Sequence, residues 1–479
     1  MTSQFHRLST PASLSLSAEL GRQPIEAAPQ RNPFMPAPLA EMMPDIDGVS
    51  VSDLVERHGS PLFVFSERTL AWKCAEMRKA FETRHKKTEY AWSYKTNHLR
   101  AICRAFKARG WLADVASAME FRRALGIGYR GPEIVVNGPA KDRPLLEEAM
   151  SSGALVQIDN WDELRLVEEI ASGFSAPVAV GIRVCLDAGI RPIWTKFGFL
   201  LATGEALEAA RRICEHPKLE LHTLHTHIGT YVLAPDAYRV ATRKLLALRD
   251  AVFLESGKLV PCVNLGGGFP SDSLLHGMVG PVERAVPRID AYAEAICDQI
   301  GQLPPAKRPL LRLEAGRHLI DNAGYLLTTV RAIKGSRQDA AEDAPLSGYA
   351  HKERLLSGTG AQLGYVVDAG INLLYTAAWF RIDAFPTTRR ATAAEAATLY
   401  GPLCMSIDVV REAALLPRLE VGDVLVLHPV GAYNFNHSMQ FIYERPAAVL
   451  IREDGAPELA RRRETLHDLE AAEDTLSPS

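Results

Sequence analysis

Lys95 is the first residue in this chain whose type and place call for chemistry. It lies near the end of Tyr90-Ala-Trp-Ser-Tyr-Lys-Thr-Asn97, where small or aromatic residues alternate with polar ones as in a strand, expected over Tyr90–Lys95. Burying an ammonium is costly unless it is paired or neutralised. Condensation with an aldehyde as a Schiff base neutralises it and makes the lysine a nucleophile. The plainer alternative is a lysine snorkelling out from a strand end. Other polar and glycine residues follow similar apolar runs. Asp114 and Ser117 follow Leu112–Val115, and Asn137 ends Glu133–Asn137. Arg183 lies near the end of Val178–Val184, and His225 and His227 end Leu219–His227 before Gly229-Thr230. Gly266-Gly267-Gly268 follows Cys262–Leu265, and Glu314, Gly316 and Arg317 close Leu310–Glu314 and its continuation.

The elements that must position these residues alternate along the chain. Together with Leu155–Ile158, the runs above make eight expected strands. Helical patterns separate them, among them His98–Gly110, Ala118–Leu125, Arg143–Ser151, Trp161–Ala171, Gly204–Cys214, Asp236–Glu255 and Val282–Ile300. Eight strands with crossovers point to a parallel (β/α)8 barrel of the TIM type, and about 250 residues suit closure better than an open doubly wound sheet. In such a barrel the site forms at the C-terminal ends of the strands. The polar residues gather there.

The triple glycine lets backbone amides approach an anion closely, and consecutive amides form a nest for phosphate. Taken alone, such a run is more often a tight turn. Gly229-Thr230 adds an amide and a hydroxyl, and Arg317 a charge. A phosphate site, a strand-end lysine and an acid after the last strand together point to pyridoxal 5'-phosphate. That cofactor takes a lysine on its aldehyde and a carboxylate on its ring nitrogen. Glu314 fits the carboxylate, and His227 a flat group stacked on the ring.

The bulk properties fit this reading. The chain has 479 residues, enough for more than one domain, with 47% hydrophobic and 23% charged residues. A net charge of -3 leaves no footprint for nucleic acid or an anionic membrane. No apolar run approaches the roughly 20 residues of a spanning helix. The N-terminus lacks a signal-peptide pattern, and seven cysteines without metal-type spacing fit a reducing cytoplasm. Residues 1–45, rich in Pro, Ser and Ala, read as an irregular arm. Residues 66–322 read as the barrel, and 46–65 with 323–456 as a mainly antiparallel β domain, a barrel or sandwich. Its expected strands are Tyr325–Ile333, Gly364–Asp368, Trp379–Phe385, Asp423–Leu427 and Phe441–Ile451, with Pro61–Phe65 pairing in. Gly335–Leu355 reads as an exposed loop, and 457–479 as a charged, helical tail.

At this point the sequence resembles the fold-type III pyridoxal-phosphate decarboxylases, the group of diaminopimelate and ornithine decarboxylases with an alanine racemase-like barrel. The resemblance runs from about Val51 to about Glu453. It is carried by Tyr90–Asn97, Asp114–Glu120 (DVASAME), Lys196-Phe197-Gly198, His225–Thr230 (HTHIGT) and Asn264–Phe269 (NLGGGF). Glu314–Arg317 (EAGR), Gly401–Asp408 (GPLCMSID) and Gly431-Ala432-Tyr433 complete it. It implies that Lys95 carries the cofactor, His227 stacks on its ring and Glu314 meets the pyridine nitrogen. Asp114, Gly266, Gly267, Gly268, Thr230, Gly316, Arg317 and Tyr433 surround it, several of them on the phosphate. Cys404, from a second subunit, would reprotonate the substrate carbon, which implies a homodimer with the site at the subunit interface. His225 has no such warrant and reads as structural.

The departures concern the substrate's distal end. The residue after the cysteine, usually acidic in the family, is Met405. Asp368–Tyr375 (DAGINLLY) is short and lacks the family's carboxylate-gripping arginine. After Leu374-Tyr375, where ornithine-type enzymes carry an acid, Thr376 stands. Asp408 matches a family acid but lies a turn away, so it reads at least as readily as structural. Arg381, Arg389, Arg390 and His437 are candidates for a rebuilt pocket. The resulting expectation is an α-decarboxylase of a diamino acid or derivative with altered distal recognition. The alternatives are a racemase of the same fold, which would favour an arginine where Glu314 stands, and a cofactor-binding relative without turnover.

Overall fold

The structure, a computed structural model, describes residues 41–335, 363–390 and 392–473. The expected arm lies outside them up to residue 40, and the expected loop Gly335–Leu355 beyond its first residue.

Eight parallel strands form the barrel: β1 Thr88–Ser93, β2 Leu112–Val115, β3 Ile134–Val136, β4 Leu155–Ile158, β5 Val178–Cys185, β6 Leu219–His225, β7 Cys262–Asn264 and β8 Leu310–Ala315. Each pairs with the next, and β8 closes the ring on β1 with Leu311 opposite Thr88 and Ala315 opposite Trp92. The strands are short apolar runs buried on both faces, as expected when helices cover a parallel sheet. Behind β1, Trp92 stacks on Phe106 of the helix Arg100–Ala108 with ring centroids 3.8 Å apart. Such a pair is worth about 0.5–1.5 kcal/mol beyond its buried area, and it fixes the strand end that carries Lys95. Some helix starts are set by side-chain caps. Ser117 Oγ accepts the Glu120 N–H at 3.2 Å while the Glu120 carboxylate accepts the Ala116 N–H at 2.8 Å. Ser117 is therefore a helix cap and not a site residue.

The second sheet is built on Gly324–Lys334, which pairs antiparallel with Leu62–Ser66, Gly364–Val367 and Val424–His428. Leu62–Ser66 also pairs in parallel with Ala447–Ile451, so a strand that precedes the barrel in sequence becomes central to the other sheet.

Four expectations are corrected. Val282–Ile300 is two helices, Val282–Ala285 and Ile289–Gly301, because Pro287 between them lacks an N–H for a continuous ladder. Phe441–Ile451 is a strand only over Ala447–Ile451, after Pro446. The expected helical tail begins instead with a strand, Pro457–Arg461, paired to Ala447–Ile451, and only Leu466–Glu470 is helical. Two strands were not expected, Glu395–Tyr400 and Val409–Leu416. Their alanine-rich sequences have weak strand propensity, and pairing with each other overrides it. No helix among the described residues is long and apolar enough to cross a membrane.

Candidate active site

The strand ends converge on one pocket lined by Ser93, Lys95, His227, Thr230, Gly268, Phe269, Glu314, Gly316, Arg317 and Tyr433. Lys95 stands just past β1. Its ammonium lies 3.8 Å from Asp114 Oδ2, and its side chain is 46% exposed, open to the cavity. Burial opposes its charge, but the Asp114, Tyr433 and Glu314 charges outweigh burial and raise its pKa.

Two buried carboxylates flank the lysine from β2 and β8, the strands on either side of β1. Asp114, at the end of β2, accepts Ser93 Oγ–H at 2.6 Å and Asn137 Nδ2–H at 2.7 Å. Glu314, on β8, accepts the same Asn137 amide at 2.9 Å and Asn264 Nδ2–H at 2.6 Å, both on Oε1. His225 Nε2 lies 3.2 Å from the other oxygen, Oε2. Burial and the nearby Glu314 charge push Asp114 upward despite Lys95. For Glu314, burial also pushes upward, but His225, Lys95 and the Asn137 hydrogen bond prevail and hold it well below the carboxylate range. The two acids are thus shifted in opposite directions because their partners differ. A carboxylate offers about four lone-pair sites. On Glu314 the two hydrogen bonds fall on Oε1, and Oε2, with His225 Nε2 3.2 Å away, keeps a site for a further N–H.

His225, read as structural, is 1% exposed and lies beside the carboxylate, its Nε2 3.2 Å from Glu314 Oε2. Its spacing of two from His227 puts both on one face of an extended run, which is the sequence signal for it. Ser93 and Asn264 escaped notice because short polar residues inside strands have common structural roles.

His227 accepts the Gly267 N–H on Nδ1 at 2.9 Å. Burial, then the Lys95 and Arg183 charges, hold its pKa well below the ordinary value, so the ring is neutral and presents a flat face. Arg183 lies 3.9 Å from Asp159 and 4.2 Å from the Phe197 ring centre.

The glycines leave no room for side chains. A Cβ on Gly267 would meet the Glu314 carbonyl oxygen at 2.2 Å, and one on Gly268 the Gly229 carbonyl oxygen at 2.3 Å. Gly266 and Gly268 also have φ of +64° and +93°. Arg317 ion-pairs with Asp321 at 3.0 Å, and its buried Nε has no hydrogen-bond partner. Tyr433, at φ +67°, donates its N–H to the Thr96 carbonyl oxygen at 2.8 Å. An orphaned guanidinium donor, a close-packed glycine turn and a neutral imidazole face lie in one pocket with a lysine and an ionised acid. These residues fit pyridoxal phosphate.

The expected substrate residues separate. Thr376 is buried, with its N–H and hydroxyl both donating to Asn434 Oδ1 at 2.9 Å. Asp408 is buried and accepts the backbone N–H groups of Ile371 and Leu403 at 2.8 and 2.7 Å. Both are struts, because their polar atoms are already committed. Met405 is 40% exposed, and Cys404 is exposed while the other six cysteines are buried. Arg381 pairs with Asp383 and Arg390 with Asp423, so neither is a spare cation. Arg389 borders a separate cleft with Met42 and Pro417. His437 stacks on Tyr375 with centroids 4.3 Å apart.

Residues 67–321 match the family model described as the pyridoxal binding domain of pyridoxal-dependent decarboxylases. The chain is 27% identical to the diaminopimelate decarboxylase of Archaeoglobus fulgidus over 446 residues, covering 88% of this chain and 95% of that one. It superposes on the crystal structure of diaminopimelate decarboxylase from M. jannaschii in complex with L-lysine with a TM-score of 0.78, at 26% identity, covering 91% of this chain and 98% of that one. The lysine/ornithine decarboxylase of Vibrio vulnificus, solved with cadaverine, shares the fold at a TM-score of 0.67 and 20% identity, over 84% of this chain and 97% of that one.

Proposed function

This chain belongs to the pyridoxal-dependent decarboxylase family, and we propose that it removes the α-carboxylate of an amino acid of diamino-acid length whose distal end is uncharged. The observation that carries the reading is the pairing of Lys95, open to the cavity, with Glu314, held ionised across it. When bound, pyridoxal phosphate supplies an electron sink, its protonated ring taking up the electron pair released as carbon dioxide leaves. Glu314 would face the ring nitrogen and favour its protonated form. Lys95 would hold the cofactor through its aldehyde, with Asp114 3.8 Å away orienting the ammonium. His227 bears on one face of the ring. Gly267, Gly268, Thr230, Arg317 and Tyr433 hold the phosphate. A cation in place of Glu314 would weaken the sink, which is why a racemase is the poorer reading.

Cys404 completes the site from a second copy. Its thiol is exposed in the single chain, on a loop beside Met405 and Ile407. Tyr375, Trp379, Met439 and Phe441 are also exposed, and Met439 and Asn372 are joined by a backbone hydrogen bond of 2.9 Å. Apolar surface of this extent on a lone chain favours a homodimer. Sγ of Cys404 of the partner subunit would then deliver a proton to the substrate carbon that has lost carbon dioxide. A cytoplasmic location fits seven unpaired thiols.

The distal end is read from what stands there. Neither Tyr375–Ala378 nor Cys404–Ile407 carries an acid or a free cation, and Asp408 is committed to backbone. A distal charge placed there would lose solvation without gaining a partner. The test is carbon dioxide release from holoenzyme across a panel of amino acids. Faster release from uncharged or acyl-masked side chains than from lysine, ornithine or diaminopimelate is expected. Preference for a charged diamino acid would overturn the substrate assignment, and no release from any would overturn the decarboxylase reading.

A further inference from the structure

We propose that Asp321 is a positioning residue that locks the phosphate-gripping groups of this site into one body, an inference resting on the reading that Arg317 and Tyr433 hold the phosphate. Asp321 is 2% exposed and lies one helical turn after Arg317. Its Oδ2 accepts Ser271 Oγ–H at 2.6 Å, Ser273 Oγ–H at 3.1 Å and Arg317 Nη1–H at 3.0 Å. Its Oδ1 accepts the Ala432 N–H at 3.2 Å, and its carbonyl oxygen the Gly431 N–H at 3.0 Å. Three separate segments therefore meet on one residue: the loop after the triple glycine, the arginine itself, and the turn that carries Tyr433.

The packing leaves little slack. A Cβ on Gly431 would lie 1.8 Å from the Ile320 carbonyl oxygen, so this turn rests backbone on backbone. The Arg317 guanidinium lies 3.9 Å from the Phe380 ring centre and 5.1 Å from that of Tyr433. An arginine has five N–H donors in a rigid fork. Spending one on Asp321 fixes the plane of the fork and leaves others, including the orphaned Nε, for an anion. Ordering this side chain before the phosphate arrives removes that entropic cost from binding.

A carboxylate beside a phosphate site also repels it, so charge and positioning have opposite signs. If positioning prevails, removing the charge weakens binding; if repulsion prevails, removing it tightens binding. Four donors already compensate the Asp321 carboxylate, which favours positioning.

The experiment titrates full-length apoprotein with pyridoxal phosphate and, separately, with pyridoxal, which lacks the phosphate. The dissociation constant is read from the visible absorption of bound cofactor. For Asp321→Asn the expected result is a rise of about tenfold or more for pyridoxal phosphate and no change for pyridoxal. If that variant fails to fold, judged by its melting curve, Ser271→Ala with Ser273→Ala serves. It keeps the Arg317 pair, and a smaller rise confined to pyridoxal phosphate is expected. Unchanged or tighter pyridoxal phosphate binding, or an equal loss for both ligands, overturns the inference. Arg317→Gln separates the two levels. If it leaves the ratio of the two constants unchanged, the phosphate assignment itself fails. If it lowers the preference for the phosphate and the Asp321 variants do not, only the role of Asp321 fails.

Discussion

The two ends of the site are built on different principles. At the barrel end, charged groups are buried and partnered: Glu314 by Asn137, Asn264 and His225, Asp114 by Ser93 and Asn137, Arg317 by Asp321. On the β domain, Met405, Tyr375 and Trp379 are exposed and apolar, and the nearby polar side chains of Thr376 and Asp408 are turned inward onto their own backbone or neighbours. A cofactor end needs fixed charges at fixed places, since electrostatic preorganisation is effective only when the dipoles do not move. A substrate end needs only a matching shape and polarity. The barrel end is therefore the rigid half, and under the proposed function the β-domain loops are where specificity is free to change.

The sharpest way to break that contrast is at the tether. Lys95→Ala should lower decarboxylation by about 10⁴-fold or more and abolish the visible absorption of bound cofactor. Turnover within tenfold of the parent would remove Lys95 from the mechanism. Next in size, Cys404→Ala should reduce turnover by about 10²-fold. Because the thiol is exposed in the single chain, the variant should keep its cofactor spectrum and melting temperature. Undiminished turnover would exclude it as the proton donor.

A gain of function probes the other end. Met405→Asp should raise kcat/KM for lysine-type substrates with a distal ammonium by about tenfold, or roughly 1.4 kcal/mol. An exposed position should leave stability within about 0.5 kcal/mol. No shift in substrate preference would show that Met405 does not meet the distal group.

The smallest effect lies at the seam between the two ends. The His98 N–H donates to Asn436 Oδ1 at 3.0 Å, and burial with the nearby Arg123 charge lowers its pKa from 6.5 to about 4. The unfolded chain takes up this proton first, so the stability present above pH 6.5 is lost as pH falls toward 4. His98→Gln should flatten that part of the stability curve in urea unfolding measured at several pH values. An unchanged slope would show that other histidines carry it.

Much of the barrel end was legible in the sequence because its residues follow short apolar strands at regular intervals. Lys95, Glu314, His227 and the glycines could each be placed at a strand end without knowing their contacts. His225 was not legible in role, since an imidazole in a strand reads as core until the carboxylate opposite is known. Asp321 was missed for the same reason, although its spacing of four from Arg317 is a helical pairing signal. Thr376 and Asp408 looked like pocket residues because motif position says nothing about which way a side chain turns.

The sequence by itself determined the barrel and pointed to the cofactor, because strand periodicity and glycine turns are local properties of the chain. The tertiary structure alone decided how the acids share their charge. Asn137, Asn264 and His225 reach Glu314 from three different strands, and their meeting sets its ionisation. The same holds for the second sheet, where Glu395–Tyr400 becomes a strand because Val409–Leu416 and Gly364–Val367 lie on either side of it. Contacts between residues far apart in the chain leave no periodic trace, so they emerge only when the chain has closed on itself.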